Sequence, residues 1–184
     1  IRPGTSQQCF NGTKEELTVT ANTQPDMFAV EVAAAKALVE AGIIPDALAG
    51  FSLGEISALA FSGAVSLEDG FRLVCQRGQL MQDASNAVDS AMVAVVKLSP
   101  EKVEELAGQF DQVYPVNYNS PAQTVCAGLS ASMEGFKAAV KEAGGRALPL
   151  KVSGAFHSPF MATAAEGLKQ VLAPMEFGAP SCPL

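Results

Sequence analysis

Residues 47–63 read ALAGFSLGEISALAFSG, and the fold turns on the first half of that stretch. The turn pair Pro45-Asp46 leads into a short apolar run, Ala47 to Gly50, which is expected to be a strand. From Gly54 to Phe61 the apolar residues recur at helical spacing, and Gly63 marks a stop. Ser52 sits between them in Gly50-Phe51-Ser52-Leu53-Gly54. A strand, a G-x-S-x-G turn and a helix together form the setting of a nucleophile elbow, which lifts a serine hydroxyl clear of the sheet. Small residues at Gly50 and Gly54 are expected to let strand and helix approach. The N–H of Leu53, at the helix start, would face a developing oxyanion with the helix dipole behind it. The competing reading is a glycine-rich turn that happens to contain a serine, since the pattern fixes only three positions in five.

A serine nucleophile needs a base. The chain has one histidine, His157, within Ser153-Gly154-Ala155-Phe156-His157-Ser158-Pro159. It follows an expected strand and precedes a helix that Ser158 caps and Pro159 begins, at the kind of strand end where α/β sites gather. The alternative is an ordinary surface histidine. A third residue breaks a pattern. In the helix that Ser66 caps, Leu73, Val74 and Met81 form an apolar stripe and Arg77 falls inside it, whereas Arg72, Gln76, Gln79 and Asp83 take the polar side. A guanidinium facing inward needs an anion. That anion is either an internal partner such as Glu55 or a ligand carboxylate held bidentately, with Gly78 leaving room.

The rest of the chain gives the organisation. Thr20–Gln24 is expected to be a turn, with Pro25 opening a helix to about Ala41 and Gly42 ending it. Between 89 and 152 the expected order is a strand at Met92–Leu98, a helix from Pro100 capped by Ser99, and strands Val113–Asn117 and Gln123–Ala127 around a Tyr118–Pro121 turn. A helix capped by Ser132 and a strand from Arg146 to Val152 complete it. That βαββαβ order is ferredoxin-like. The expected domains are therefore a larger α/β part over 1–88 and 153–184 and a small subdomain over 89–152.

Of the 184 residues 48% are hydrophobic, enough for a real core, and the formal charge of −7 argues against a nucleic-acid surface. Cys9, Cys75, Cys126 and Cys182 stand far apart with no metal-ligand spacing, which favours a reducing, cytoplasmic setting and predicts no metal site. No apolar run reaches membrane-spanning length, so no membrane association is expected.

Taken in order, GFSLGE around Ser52, RLVCQRGQLMQ around Arg77 and SGAFHSPFM around His157 resemble the malonyl-CoA:acyl-carrier-protein transacylases. TANTQP at 20–25 and NYNSPAQTVCAG at 117–128 add to the likeness, which covers essentially the whole chain. The resemblance implies an α/β-hydrolase-like acyltransferase domain with an inserted ferredoxin-like subdomain. It implies that Ser52 forms a malonyl ester, that His157 is the base, that Leu53 supplies an oxyanion N–H, and that Arg77 holds the malonyl carboxylate. Phe156 would crowd an α-methyl branch. Asn117 and Asn119 either touch the CoA or carrier arm or brace the hairpin through Asx turns. The implied partners are malonyl-CoA and acyl carrier protein, whose phosphopantetheine takes the acyl group. Lys36, Lys137, Lys141 and Lys151 are candidates for touching that acidic protein. The resemblance implies no cofactor, no metal and a monomer. Phe51 departs from the family, which usually has histidine there. The family's G-Q-G-S-Q type segment, and the later one that orients the histidine, are not among these residues, so the chain is expected to be part of a longer protein. The rival readings are a serine esterase or thioesterase, which has no need of Arg77, and an inactive piece that only docks carrier protein.

Overall fold

Most helices of this chain stop at or next to a glycine in the computed structural model, which describes residues 1–184. In chain order the elements are α1 (Thr5–Asn11), α2 (Lys14–Thr18), α3 (Thr20–Glu40), α4 (Leu53–Phe61), α5 (Leu67–Asn86), β1 (Ser90–Val96), α6 (Pro100–Ala107), β2 (Val113–Ser120), β3 (Gln123–Leu129), α7 (Ser130–Glu142), β4 (Arg146–Pro149), a 3-10 turn (Pro159–Met161) and α8 (Ala162–Leu172). They divide into two compact units, Ile1–Leu80 with Glu166–Leu184 and Met81–Ala165. The second unit takes in the end of α5 and the His157 loop as well as the expected 89–152.

In the second unit the four strands form one antiparallel sheet in the order β2-β3-β1-β4, the arrangement a ferredoxin-like βαββαβ chain requires. Successive residues of β1 point to opposite faces. Val93 and Val95 pack with Val113 and Cys126 beneath α6 and α7, which contribute Val103, Leu106, Met133, Phe136 and Val140. Met92 and Ala94 pack on the other face with Val125 and Ala127, covered by Ala155, Phe156 and Phe160. The two edge strands each contain a proline, Pro115 in β2 and Pro149 in β4.

Some expected boundaries move here. Ser132 does not cap α7. The helix begins at Ser130, whose N–H and hydroxyl donate to the Asp89 carbonyl and carboxylate at 3.1 and 2.7 Å. The hairpin strand β2 runs on to Ser120, so the turn narrows to Pro121-Ala122. The β4 ladder stops at Pro149, although the Leu150 N–H still reaches the Met92 carbonyl at 2.9 Å.

The first unit buries Phe28 and Val32 of α3 against Ile56 and Ala60 of α4 and Leu73 and Val74 of α5. It contains no strand. Ala47–Gly50, expected as one, has a single main-chain bond, Leu48 N–H to the Pro183 carbonyl at 2.8 Å, and one bond is not a ladder. Helix α3 also starts earlier than expected. Thr20–Gln24 is its first turn rather than a separate one, and Pro25 lies inside it, buried, at the cost of the bond its N–H would have made to Ala21. Arg2 ties the chain start to this turn, donating to Asp26 at 3.1 Å, Asn22 at 2.6 Å and, within α1, Gln8 at 2.8 Å.

Candidate active site

Four non-glycine residues have positive φ: Ser52, Lys97, Gln112 and His157. Lys97 and Gln112 flank strands as turn residues. The other two are the serine and histidine singled out by the sequence. A residue with a Cβ is strained in this region, and such strain persists only where the surroundings enforce it.

At Ser52, with φ 56° and ψ −109°, the enforcing element is Gly50. A Cβ there would lie 2.2 Å from the Glu55 nitrogen and 2.3 Å from the Gly54 carbonyl oxygen. The chain therefore doubles back against the first turn of α4 at a distance only glycine permits. Gly54 is different from expectation: a Cβ on it meets open space, so the close approach comes from Gly50 alone. The Ser52 side chain makes no capping bond to α4, which leaves its hydroxyl for other work. Gly54 and Glu55 donate to the carbonyls of Phe51 and Ser52, and the N–H of Leu53, first residue of α4, makes no main-chain bond. Phe51, 69% exposed, lines an open groove of about 480 Å³ with Glu31, Leu48, Gly50 and Ser57. The Ser57 hydroxyl donates to Glu31 at 2.5 Å there.

Arg77 reaches this elbow from α5. Its Nη2 donates to Ser52 Oγ at 3.0 Å and its Nη1 to Gln24 Oε1 at 2.7 Å. The side chains flanking it behave as the stripe predicted, with Leu73 and Val74 buried and Arg72 paired with Glu68 on the outer face. Burial holds the guanidinium below the usual arginine range, and the charge of Glu55 opposes that shift. Glu55 is not its ion-pair partner, so the internal salt bridge considered from sequence does not form. Gly78 leaves room for a neighbour rather than for Arg77 itself: a Cβ on it would stand 3.1 Å from the Thr20 carbonyl oxygen, and this closeness brings the first turn of α3, with Gln24, against α5. The sequence reading gave Gln24 no role. Its only signal was its place in TANTQP.

The second unit holds Phe156, His157, Asn117 and Asn119. His157 is exposed, with φ 61°, on a loop tied down on both sides. Before it, Ala155 N–H donates to Ser90 Oγ at 3.2 Å, and Gly154 lies so close to Ser85 that a Cβ would be 2.1 Å from its hydroxyl oxygen. After it, Ser158 Oγ donates to the Ala155 carbonyl at 2.5 Å and accepts from Phe160 N–H, the capping expected of it, although the first turn is 3-10 rather than α. Phe156 packs onto the sheet face beside Met92 and Ala94. Asn117 pairs with Val125 in the ladder, and the exposed Asn119 amide donates to Gln123 Oε1 at 3.1 Å, a cross-strand bond in place of an Asx turn. Lys137 is engaged by Glu134. The first unit thus assembles a serine hydroxyl, an open N–H and a guanidinium, a set able to form an acyl ester and hold an anion beside it.

The model of the acyl transferase domain family matches residues 6–183. The malonyl CoA-acyl carrier protein transacylase of Bacillus subtilis strain 168 is 40% identical over 172 residues, 91% of this chain and 54% of that protein. The crystal structure of the same-named protein from Clostridium perfringens superposes with a TM-score of 0.87 at 37% identity, covering 96% of this chain and 57% of that one. A malonyl-transacylase solved with its type II polyketide-synthase acyl carrier protein gives 0.88 at 41% identity, covering 94% and 58%. The chain spans little more than half the length of the curated transacylases it matches.

Proposed function

The chain belongs to the acyl transferase domain family, and from that premise we propose that the protein transfers a malonyl group from malonyl-CoA to the phosphopantetheine thiol of acyl carrier protein, in fatty acid synthesis. The observation that carries the reading is the Arg77 guanidinium 3.0 Å from the Ser52 hydroxyl on a strained elbow. An esterase or thioesterase needs the serine but has no use for that cation.

In the proposed reaction Ser52 Oγ attacks the malonyl thioester carbonyl while His157 takes its proton. The oxyanion of the tetrahedral intermediate is met by the Leu53 N–H. The intermediate collapses with loss of the CoA thiol, which leaves with the proton from His157, and a malonyl-serine ester remains. His157 then deprotonates the incoming phosphopantetheine thiol, which attacks the ester and returns Ser52 to its hydroxyl form. Arg77 holds the free carboxylate throughout, giving a ping-pong reaction selective for a diacid. Phe156 disfavours an α-methyl branch, a discrimination of about 1–3 kcal/mol for one methyl group. Asn117 and Asn119 are candidates for contact with the CoA or carrier arm. The chemistry is that of serine esters and draws on no metal or redox cofactor. No helix is long and apolar enough to cross a membrane. A cytoplasmic monomer is the setting we propose.

The test is intact mass after brief incubation with malonyl-CoA, beside acetyl-CoA and a Ser52→Ala variant. The expected result is a malonyl-sized adduct that requires both Ser52 and the malonyl donor. Equal labelling by acetyl-CoA overturns the role of Arg77, and an adduct that survives Ser52→Ala overturns the nucleophile.

A further inference from the structure

We propose that Gln24 is a positioning residue, which holds Arg77 in place for the acyl carboxylate. The inference rests on the malonyl transfer proposed above.

Gln24 is 5% exposed on the first turn of α3, and a buried amide must find hydrogen-bond partners. Its Oε1 accepts from Arg77 Nη1 at 2.7 Å. The guanidinium is a planar fork, so fixing one nitrogen fixes the direction of the other. That other nitrogen is the one 3.0 Å from Ser52 Oγ. Without the amide, a long arginine side chain samples many rotamers, and only some bring Nη2 to the elbow.

The residue type matters as much as the distance. An amide oxygen accepts from the guanidinium without cancelling its charge, so the cation stays available to a substrate anion. A glutamate in the same place would pair with Arg77 and compete with that anion. The backbone is arranged for the contact: Gly78, next to Arg77, would bring a Cβ to 3.4 Å from the Gln24 Cβ and 3.1 Å from the Thr20 carbonyl oxygen. The glycine and the glutamine therefore work as one device, a close crossing of α3 on α5 and a neutral acceptor at the crossing point. This gives the TANTQP stretch a task of its own.

The experiment measures kcat/KM for Ser52 acylation by malonyl-CoA and by acetyl-CoA, in the unsubstituted protein, Gln24→Ala and Gln24→Glu, with a thermal midpoint for each. Gln24→Ala is expected to lower the malonyl value about 10–100-fold, the range for losing a hydrogen bond to a charged group, while the acetyl value changes less than about threefold. Gln24→Glu is expected to lose malonyl selectivity at least as far, with an undiminished thermal midpoint. It decides the matter if Gln24→Ala fails to fold. Parallel falls for both donors, or wild-type selectivity in Gln24→Glu, overturn the positioning role alone. An unsubstituted protein with no preference for malonyl overturns the functional reading beneath it.

Discussion

Two apolar stretches of this chain, Ser90–Val96 and Ala47–Gly50, meet opposite fates. The first is β1, with a neighbour on each side and a packed layer on each face. The second has one main-chain bond and no ladder. The unit that holds β1 is organised by pairing and burial, as small α/β folds are. The unit that holds Ser52 packs α3, α4 and α5 around Phe28, Ile56 and Val74, but its serine sits on a backbone reversal, where the absence of one Cβ at Gly50 permits a strained φ two residues later. The lesson is that scaffold and reactive geometry draw on different physics, and they should fail separately.

Gly50→Ala is the severest way to break the contrast. Its Cβ collides with backbone, so Ser52 must move, and a displacement of about 1 Å costs roughly 100-fold in rate. Acylation of Ser52 is expected to fall by that factor or more, while Gly54→Ala, which adds a methyl to open space, stays within about threefold. Equal losses in the two would remove the distinction between the glycines. Arg77→Ala should come next, lowering malonyl acylation by about 10–100-fold with little change for acetyl-CoA. Phe136→Ala tests the other side. Its side chain is fully buried between α7 and the sheet, and truncation should cost about 3–5 kcal/mol of stability in denaturant titration. Ser52 acylation, measured well below the unfolding transition, should be unchanged; a matching rate loss would mean that core and elbow are coupled.

The smallest effect is one of pH. Burial raises the Asp26 carboxyl above the usual aspartate range, against the pull of Arg2, and one of its oxygens has no partner. An acid whose folded pKa is raised contributes most stability below its unfolded value of about 3.9 and loses it as pH rises through the folded value. The thermal midpoint of Asp26→Asn relative to wild type should therefore climb between pH 4 and 7. A flat or falling difference would show that Arg2 outweighs burial.

Much of the architecture was legible from local signals. Ser66 and Ser99 cap α5 and α6 as their positions suggest, and the apolar runs of 90–149 pair in the β2-β3-β1-β4 order of a βαββαβ chain. Arg77 stood out because it interrupted an apolar stripe. What stayed hidden depended on partners distant in sequence. Ala47–Gly50 has strand composition, and its one main-chain partner among these 184 residues is Pro183, far along the chain. Pro25 looked like a helix start because proline favours the first turn, yet α3 accepts it five residues in. Gln24 acts through a residue 53 positions away, a relation that no spacing rule encodes.

The prolines of the sheet have a further consequence, for how copies of the molecule meet. A bare sheet edge is a template for another copy's strand, and each exposed N–H is a point of attachment. Here Pro115 and Pro149 remove one such donor from each outer strand, whereas the inner strands β1 and β3 carry no proline. The placement leaves the internal ladders whole and makes both margins poor templates for edge-to-edge growth. It guards a newly made chain against clumping at concentrations where an unbroken margin would recruit its neighbours.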